Sequence, residues 1–562
     1  MHRSIPRPRG SCPALLLVLG LGLAACGGGG GGSNGTEPPP PLSRAQLVEA
    51  SRFASQASFG LPWEEIRSLA REGREAWLER QFALPAGYHT PIVDELVARR
   101  NRGDFAAFEQ DIEYLVSFRR MAWWHRAVTS PDVLRQRVAF ALSEIFVVSD
   151  KVDALLIHPD ALSGYYDTLL EHAFGNFRDL LRAVTLSPAM GIYLSHVNNR
   201  KADPARNTFP DENYAREVMQ LFSIGLFELN IDGSVKTDVS GRPLPTYDND
   251  DIREFAKVFT GLSYGGPGAF FGKQEPWFRD PMQMFDSAHE PGEKRLLNGV
   301  VVPPGQSGMQ DIEQAIDVLF NHPNTGPFIG RQLIQRLVTS NPSPAYVERV
   351  ARAFNGDATG LRGDMRAVIR AVLLDPEAEA GEAVRPDFGK LREPVVRYAG
   401  ALRQLHARSD DGFIGISGYL LEELGRQHPL SAPSVFNFFL PSHSPAGELA
   451  DAGLVAPEFE ITTSSSIVGV TNLADLLLFA PSAGDVLPPF SQVQLDLADL
   501  LPLADDLPAL VERLDILLAA GALRPGTRSA IESLLAPIDD RDLRVRLAIY
   551  MVLASADYAV RS

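Results

Sequence analysis

The sequence predicts a mainly α-helical protein, built as one large multi-helix domain with one or two small β-hairpins. Apolar residues recur at helical spacing through most of the chain after residue 42, as in Ile312, Ile316, Leu319 and Phe320. Pairs of Ser and Pro that start helices are frequent, whereas the alternating pattern of strands is rare. The hydrophobic content of 45% with 22% charged residues is ordinary for a globular protein, so a sizeable core is available.

The N-terminus predicts export. Several arginines precede an apolar stretch over residues 14–25, which is shorter than the roughly 20 residues that a membrane span needs. Small residues lead up to Cys26 in a pattern that resembles a lipobox, so residues 1–25 are predicted to be a lipoprotein signal peptide and Cys26 the lipidated first residue. Gly27 follows, which favours an outer-membrane lipoprotein held by its lipid anchor. The alternative is an ordinary cleaved signal and a secreted or periplasmic protein.

Residues 26–42 predict a tether between the anchor and the folded body. Six glycines at 27–32 and four prolines at 38–41 give a flexible, slightly stiffened segment. The only other cysteine, Cys12, lies in the signal segment. The body therefore has no disulfide, no thiolate nucleophile, no Fe–S cluster and no zinc–sulfur site.

The net charge of −17 argues against nucleic acid as a partner. Binding to phosphate groups needs clustered Lys and Arg, and the sequence has no basic run of five or more.

Helix signals begin at Ser43. Ser43 and Gln46 form a predicted capping box for a helix that ends at Gly60. Three further pairs predict an N-cap serine followed by proline at the first helical position: Ser130-Pro131, Ser187-Pro188 and Ser343-Pro344. Strand signals are limited to a hairpin at Asn298-Gly299 and a second turn at Asp232-Gly233. With no repeat of fixed period, residues 43–562 are predicted to form one helical domain.

The stretch from Asp211 to Gly225, DENYAREVMQLFSIG, predicts a helix with two distinct faces, capped at Asp211 and ended by Gly225. Its apolar face comprises Tyr214, Val218, Leu221 and Phe222. Its polar face comprises Asn213, Arg216, Glu217 and Gln220. This polar face is either solvated or a buried cluster in which each charge needs a partner, and the acidic turn at 248–251 is the candidate partner of Arg216.

Several long stretches resemble a bacterial exported family catalogued as domain of unknown function 1800. They are SRFASQASFG (51–60), RVAFALSEIFVVSD (137–150), NYAREVMQLFSIGL (213–226), NDDIREFAKVFTGLSY (249–264), RLVTSNPSPAYVERV (336–350) and LASADY (553–558). The resemblance implies an exported, mainly helical protein with no established activity, often encoded beside a second exported family that looks phosphatase- or sulfatase-like. Since NYARE is the hallmark of the family, the resemblance also favours a buried polar face.

Familiar catalytic signatures are absent: there is no G-x-S-x-G elbow, no Walker A loop and no H-E-x-x-H. In a loop-rich region just before the hairpin, the stretch from His289 to Lys294 contains a histidine and two carboxylates, His289, Glu290 and Glu293, that could bind a metal or a sugar; a simple polar turn explains them equally well. His428 could place an imidazole at a helix end, with a satisfied core histidine as the alternative. Glu144 lies within an apolar run, where a carboxylate needs a partner, and Arg137 or Lys151 is the expected one.

Two classes of function remain open from sequence. The first is an exported lipoprotein that serves as a helical scaffold or binding protein for an exported partner or a surface glycan. The second is an exported hydrolase or metal-dependent enzyme whose polar site gathers around the Asn213–Gln220 helix. In that enzyme Glu217 acts as general base or metal ligand and Arg216 clamps an anion. Its catalytic candidates are Asn213, Arg216, Glu217, His289, Lys294 and His428, its metal-ligand candidates are His289, Glu290 and Glu217, and no cofactor-binding residue is indicated.

Overall fold

The computed structural model describes residues 40–105, 112–383, 385–480, 485–486 and 489–561. The predicted signal peptide, Cys26 and nearly all of the tether lie outside these residues. Helices dominate the described chain, and its strands form only small two-stranded sheets. The predicted fold class, mainly α with small hairpins, is therefore confirmed.

The N-terminal part contains the helices α1 (Arg44–Ala57), α2 (Trp63–Glu72), α3 (Arg74–Ala83), α4 (Thr90–Asn101), α5 (Ile112–Thr129), α6 (Val133–Ser143), α7 (Asp153–Leu156), α8 (Pro159–His172), α9 (Phe177–Leu186) and α10 (Pro188–Tyr193). The predicted capping box of α1 is present, because the Ser43 hydroxyl accepts the N–H of Gln46 and the Gln46 side chain accepts the N–H of Ser43. The helix ends at Ala57 rather than at Gly60, because the chain turns extended at Ser58.

The start predicted for α6 at Ser130-Pro131 is wrong. The helix begins at Val133, with Asp132 in the capping position. The hydroxyl of Ser130 donates to the Asp132 carboxylate instead of accepting a helix N–H, and that carboxylate also accepts the backbone N–H of Gly87 (2.9 Å). A tertiary contact from a distant loop therefore fixes where this helix starts.

The middle of the chain contains α11 (Asn213–Gln220), α12 (Asn249–Val258), α13 (Gly308–Asn321), α14 (Thr325–Leu337), α15 (Pro344–Asn355), α16 (Met365–Leu373) and α17 (Pro376–Ala380). Ser343 caps α15 through the N–H of Tyr346, with Pro344 at the first position as predicted. Asp248 caps α12 by accepting the N–H groups of Asp250 and Asp251. The acidic turn thus stabilises a helix N-terminus.

The C-terminal part contains α18 (Pro394–Gln404), α19 (Tyr419–Gly425), α20 (Glu448–Asp451), α21 (Ser464–Phe479), α22 (Leu507–Ala519), α23 (Pro525–Leu535), α24 (Arg541–Ala554) and α25 (Ala556–Ala559). Short 3-10 helices occur at Pro204–Arg206, Asp286–Ala288, Leu297–Gly299, Gly381–Ala383, Pro457–Ile461 and Leu501–Leu503. One cluster of buried apolar side chains extends from α1 to α25, and residues Leu42–Ser562 form one compact unit. None of the helices in the described chain combines the length and the apolar character that a membrane crossing requires.

Four antiparallel pairs of two-residue strands join parts of the chain. The pairs are β1 (Leu262–Ser263) with β2 (Gln283–Met284), β3 (Lys294–Arg295) with β4 (Val301–Val302), β5 (Lys390–Leu391) with β8 (Val560–Arg561), and β6 (Ala407–Arg408) with β7 (Gln494–Leu495). The β3–β4 pair is the predicted hairpin, with Asn298 and Gly299 at positive φ in its turn. The other pairs link distant segments, and β5–β8 ties the C-terminus to the chain before α18.

Candidate functional site

An open cavity of about 500 Å³ lies beside the C-terminal end of α11. Its size falls within the roughly 300–1,000 Å³ that is typical of small-molecule sites. Four parts of the chain line it: the end of α6 with Glu144 and Ile145, residues between 220 and 235, one face of α14, and residues between 435 and 442. The predicted organising helix therefore borders the cavity through its last residue, Gln220.

The segment that follows α11, residues 221–235, forms one wall and is called the α11 ribbon below. The helix ends at Gln220 rather than at the predicted Gly225, which instead adopts a φ of 72° in the turn beyond it. At Gly225 a Cβ atom would lie 2.8 Å from the Phe328 ring, so only glycine permits this approach to α14. The buried Asn324 side chain accepts the N–H of Leu229 (2.9 Å) and donates to two carbonyls of the preceding segment (2.8 Å each). The ribbon is thereby fastened to the start of α14.

The facing wall is a single face of α14. Its lining residues Phe328, Arg331, Gln332, Gln335 and Arg336 follow the i, i+3, i+4, i+7, i+8 spacing of neighbours on a helix. The Gln335 amide is satisfied, because its Nε2 donates to two backbone carbonyls at 3.0 and 3.1 Å. This face combines one aromatic ring with four polar side chains.

Two of these polar side chains have no partner in the part of the chain that the structure describes. The Nε2 of Gln332 is buried without an acceptor, although the side chain borders the cavity. Arg331 forms neither a hydrogen bond nor an ion pair there, and its side chain reaches solvent. Desolvation by the surrounding wall lowers the pKa of Arg331, but a guanidinium stays charged at any ordinary pH.

Glu144 forms the floor of the cavity together with Arg336. The Nε of Arg336 lies 3.9 Å from Glu144 Oε2, and Asn437 donates to Glu144 Oε1 at 3.3 Å. The expected partners of Glu144 were wrong: Arg137 donates to the backbone carbonyl of Arg336 (2.6 Å), and Lys151 pairs with another carboxylate. Both alternatives came from the neighbourhood of Glu144 in sequence, whereas its partner comes from α14.

A second carboxyl group, that of Glu393, hydrogen-bonds to Glu144. Neither Glu144 Oε2 nor Glu393 Oε1 accepts a hydrogen bond from a donor in the described chain. Desolvation, followed by the charge of Glu393, raises the pKa of Glu144 well above its usual range. Desolvation acts in the same direction on Glu393, but Lys390 and Arg137 outweigh it and hold the pKa of Glu393 below its usual value. Glu144 is therefore the protonated member of the pair.

Lys390 connects this carboxyl pair to the end of α14. Its Nζ lies 2.8 Å from Glu458 Oε1 and 3.8 Å from Glu393 Oε1. It also donates to the carbonyls of Gln335 and Arg336, at 3.0 and 2.9 Å, in the last turn of α14. A cation at a helix C-terminus satisfies free carbonyls and the negative end of the helix dipole. The buried ionic network therefore fixes the helix that carries the polar wall.

The polar residues predicted on α11 do not share one environment. Asn213 is exposed, and Arg216 is half exposed and pairs with Glu212 (3.4 Å). The acidic turn at 248–251 was therefore the wrong partner for Arg216, because its carboxylates cap α12 instead. Gln220 borders the cavity. The prediction that the polar face is solvated thus holds for Asn213 and Arg216. It fails for Glu217, which is buried.

Glu217 is buried, with 6% of its surface exposed, and its Oε2 has no hydrogen-bond donor. Desolvation raises the pKa of Glu217, and the charge of Arg216 offsets only part of this effect. Burial therefore favours the protonated carboxylic acid at this position.

The structure brings His289 and Lys294 together through Asp311. Oδ2 of Asp311 lies 3.0 Å from His289 Nε2 and 2.6 Å from Lys294 Nζ, and all three side chains are buried. The other ring nitrogen of His289 lies 2.8 Å from the carbonyl oxygen of Thr260. Glu290 takes part through its backbone carbonyl, which accepts from Lys294 at 2.6 Å. This arrangement is closed, because every polar side-chain atom of His289 and Lys294 that faces the group has a protein partner.

His428 is buried in a third place. Trp124 Nε1 donates to His428 Nε2 (3.0 Å), and His428 Nδ1 lies 3.0 Å from the carbonyl oxygen of Pro429. Desolvation, followed by the charges of Arg120 and Arg119, lowers the pKa of His428 well below its usual value. The imidazole is therefore neutral, and both of its nitrogens are occupied.

The predicted catalytic residues thus fall into three groups that no hydrogen bond or ion pair joins within the described ranges. In the same ranges no three His, Cys, Asp or Glu side chains gather closely enough to hold a metal ion, so Glu217 is not brought to His289 and Glu290. Sequence reasoning missed Arg331 and Gln332, although their helical spacing was visible. Glu393 and Lys390 offered no such signal, because only the tertiary fold brings them to Glu144.

A family model described as "Protein of unknown function (DUF1800)" matches residues 52–560. A search of curated proteins returned no match, and neither did a search of solved structures. The match spans nearly the whole described body, including α11, α14 and the buried network behind the cavity. This chain therefore belongs to the DUF1800 family, the family that its NYARE-containing helix and five other stretches resemble.

Proposed function

We propose that this protein is an exported lipoprotein that acts as a binding protein and that its ligand occupies the cavity between the α11 ribbon and α14. The signal-like N-terminus and the lipobox-like sequence before Cys26 support export and an outer-membrane anchor. The separation of the predicted catalytic residues into three groups supports binding over catalysis.

The apolar mouth of the cavity carries this proposal. Leu226, Val235, Phe436 and Leu440 line the cavity, and each keeps between 41% and 49% of its surface exposed. A group of exposed apolar side chains around a concave surface marks a binding site, whereas single exposed ones are ordinary. The ligand therefore covers these four side chains.

The side chains that line the cavity also bear on whether its ligand is a glycan. A glycan presents many hydroxyl groups, each of which needs a hydrogen-bond partner when it leaves water. The wall offers mainly Leu, Val and Phe side chains; most of its polar groups lie on α14 and the floor, and only Gln220 and Ser442 lie elsewhere in the described lining. A ligand with a large apolar surface fits it better than a sugar chain does.

Binding of a neutral apolar fluorophore, N-phenylnaphthylamine, tests the proposal. The protein should increase its fluorescence saturably, and Phe436→Ser should weaken binding because it removes an apolar side chain from the mouth. Phe270→Ser is the matched control, since Phe270 is 57% exposed and lies outside the cavity lining. Absence of saturable binding by the wild type, or equal loss with both variants, would refute the cavity as the site.

An exported hydrolase remains the second candidate, and the protonated carboxyl at the cavity floor favours it. A carboxylic acid with a raised pKa beside an ionised one is the arrangement of a general acid. A panel of chromogenic esters, phosphates and glycosides tests this, together with a metal analysis of the purified protein. Turnover that Glu144→Gln abolishes would establish the enzyme, and inactivity of the wild type on the whole panel would leave the binding function.

A further inference from the structure

The cavity is electropositive within a strongly acidic protein. The chain carries a net charge of −17, yet the ionisable side chains that line the cavity are Glu144, Arg331 and Arg336. Their sum is positive whether Glu144 is protonated or ionised. A cavity that collects positive charge against the net charge of its protein attracts anions.

The hydrogen-bonding groups of the cavity also favour an anionic ligand. Among the residues described, Arg331 has no hydrogen-bond or ion-pair partner, and the Nε2 of Gln332 is a buried donor without an acceptor. The Nε of Arg336 donates no hydrogen bond there, although it lies 3.9 Å from Glu144 Oε2. Because Arg331, Gln332 and Arg336 lie on one face of α14, a single group can meet donors from neighbouring turns. A ligand that supplies acceptor oxygens would satisfy groups that the protein leaves unpaired.

The apolar mouth limits the number of charged groups that the ligand can carry. Among the described residues that line the cavity, Phe436, Leu440 and Val235 are exposed and apolar, and Arg331 is the exposed cation. Further anionic groups on the ligand would therefore meet apolar side chains, at the cost of their hydration. One anionic group at one end of an apolar body fits both parts of the cavity.

We propose that the cavity binds a free long-chain carboxylate, with its carboxylate at Arg331 and Gln332 and its hydrocarbon body against the mouth. This inference rests on the proposed function, since it names the ligand class of the same cavity. A guanidinium pairs with a carboxylate through two parallel hydrogen bonds, and Gln332 supplies a further donor one residue along the helix. Arg336, behind them, adds positive charge without needing to move.

Titration calorimetry with dodecanoate tests the proposal on the mature chain carrying Cys26→Ser, which removes the need for detergent. Dodecyltrimethylammonium has the same chain and the opposite charge, and acetate has the carboxylate without the chain. Dodecanoate should bind, and the other two should bind at least about tenfold more weakly. Equal affinity for dodecanoate and dodecyltrimethylammonium would overturn the proposal.

Substitutions at Arg331 locate the contact. Arg331→Gln should weaken dodecanoate binding roughly ten- to a hundredfold, the expected loss of a charge-assisted hydrogen bond, and Arg331→Lys should restore part of it. Arg295→Gln, which removes the same charge from a side chain that is 78% exposed and outside the cavity, should have no effect. Unchanged dodecanoate affinity in Arg331→Gln would place the carboxylate elsewhere and refute the assignment.

Binding of the neutral fluorophore distinguishes a failure of the carboxylate assignment from a failure of the proposed binding function. Arg331→Gln should weaken dodecanoate binding much more than N-phenylnaphthylamine binding, because that probe carries no charge. If the fluorophore binds and dodecanoate does not, the cavity is a binding site and the carboxylate assignment is wrong. If neither binds, the proposed function fails as well.

Discussion

The substitution Asp311→Asn tests whether His289 and Lys294 belong to a structural cluster. Asp311 Oδ2 lies 2.6 Å from Lys294 Nζ and 3.0 Å from His289 Nε2, and Oδ1 accepts from Gln306 at 2.9 Å. The side chains of Lys294 and Asp311 are 1% and 2% exposed. Without the negative charge, the ammonium group stays buried with only neutral acceptors, which are two backbone carbonyls and the side-chain amide oxygen at position 311. Such a stranded charge costs about 3–5 kcal/mol of stability.

Urea unfolding followed by tryptophan fluorescence measures this loss, and a second substitution identifies its cause. Lys294→Met on the Asp311→Asn background removes the stranded charge, so the double variant should recover about 1–3 kcal/mol relative to the sum of the single effects. Asp317→Asn is the matched control on the same helix α13. Its carboxylate likewise pairs with a cation, Arg178, at 2.5 Å, but Asp317 is 48% exposed, so the change should cost less than about 1 kcal/mol.

The decisive outcome is the comparison of Asp311→Asn with Asp317→Asn. Equal unfolding midpoints would show that the buried charges are not stabilised by Asp311, which would refute the structural interpretation. His289 and Lys294 would then be available for chemistry. A large loss with recovery in the double variant would establish that they hold the α12–α13 region together.

Three further outcomes are expected. Arg216→Ala should cost less than about 0.5 kcal/mol in the same urea assay, because Arg216 and its partner Glu212 are both substantially exposed; a larger loss would mean that the pair is buried in solution. Burial raises the pKa of Glu217, so its contribution is most favourable below the pKa of the unfolded chain and is lost as the pH rises through the folded-state pKa. Glu217→Gln should therefore flatten the dependence of the urea midpoint on pH above the ordinary carboxyl pKa of 4.5, and an unchanged curve would contradict this. Cys26→Ser should move the protein from the membrane pellet to the soluble fraction without changing its unfolding midpoint, whereas unchanged fractionation would contradict lipidation.

The sequence predicts the parts of the fold whose causes are local. The capping box of α1, the Ser343-Pro344 start of α15 and the Asn298-Gly299 hairpin each depend on side chains within a few residues of one another. Ser130-Pro131 has the same local pattern and fails, because the Asp132 carboxylate is engaged by Gly87. Local rules therefore hold until a distant backbone group competes for the same side chain.

The partners of buried charges could not be predicted, because they come from distant parts of the chain. The sequence indicates that Glu144 needs a partner, but its ion pair is with Arg336, and the charge of Glu393 acts on its pKa. The β5–β8 pair, which joins Lys390 to Arg561, is equally invisible to patterns read within one segment. For the candidate site, the sequence indicated Gln220 only as part of the polar face of α11 and Glu144 only as a structural carboxylate, and it missed Arg331 and Gln332.

Two glutamines on α14 show how the structure separates polarity that supports the fold from polarity that is available to a ligand. Gln335 donates to two carbonyls beyond the helix and so joins α14 to the segments that follow it. Gln332 lies on the same face and is also buried, and its Nε2 donates to nothing in the described chain. An unpaired buried donor costs about 1–3 kcal/mol. This unpaired donor therefore lowers the stability of the protein where α14 meets the cavity. A ligand with an acceptor atom at Gln332 would remove that free-energy cost, and the gain would contribute to its binding.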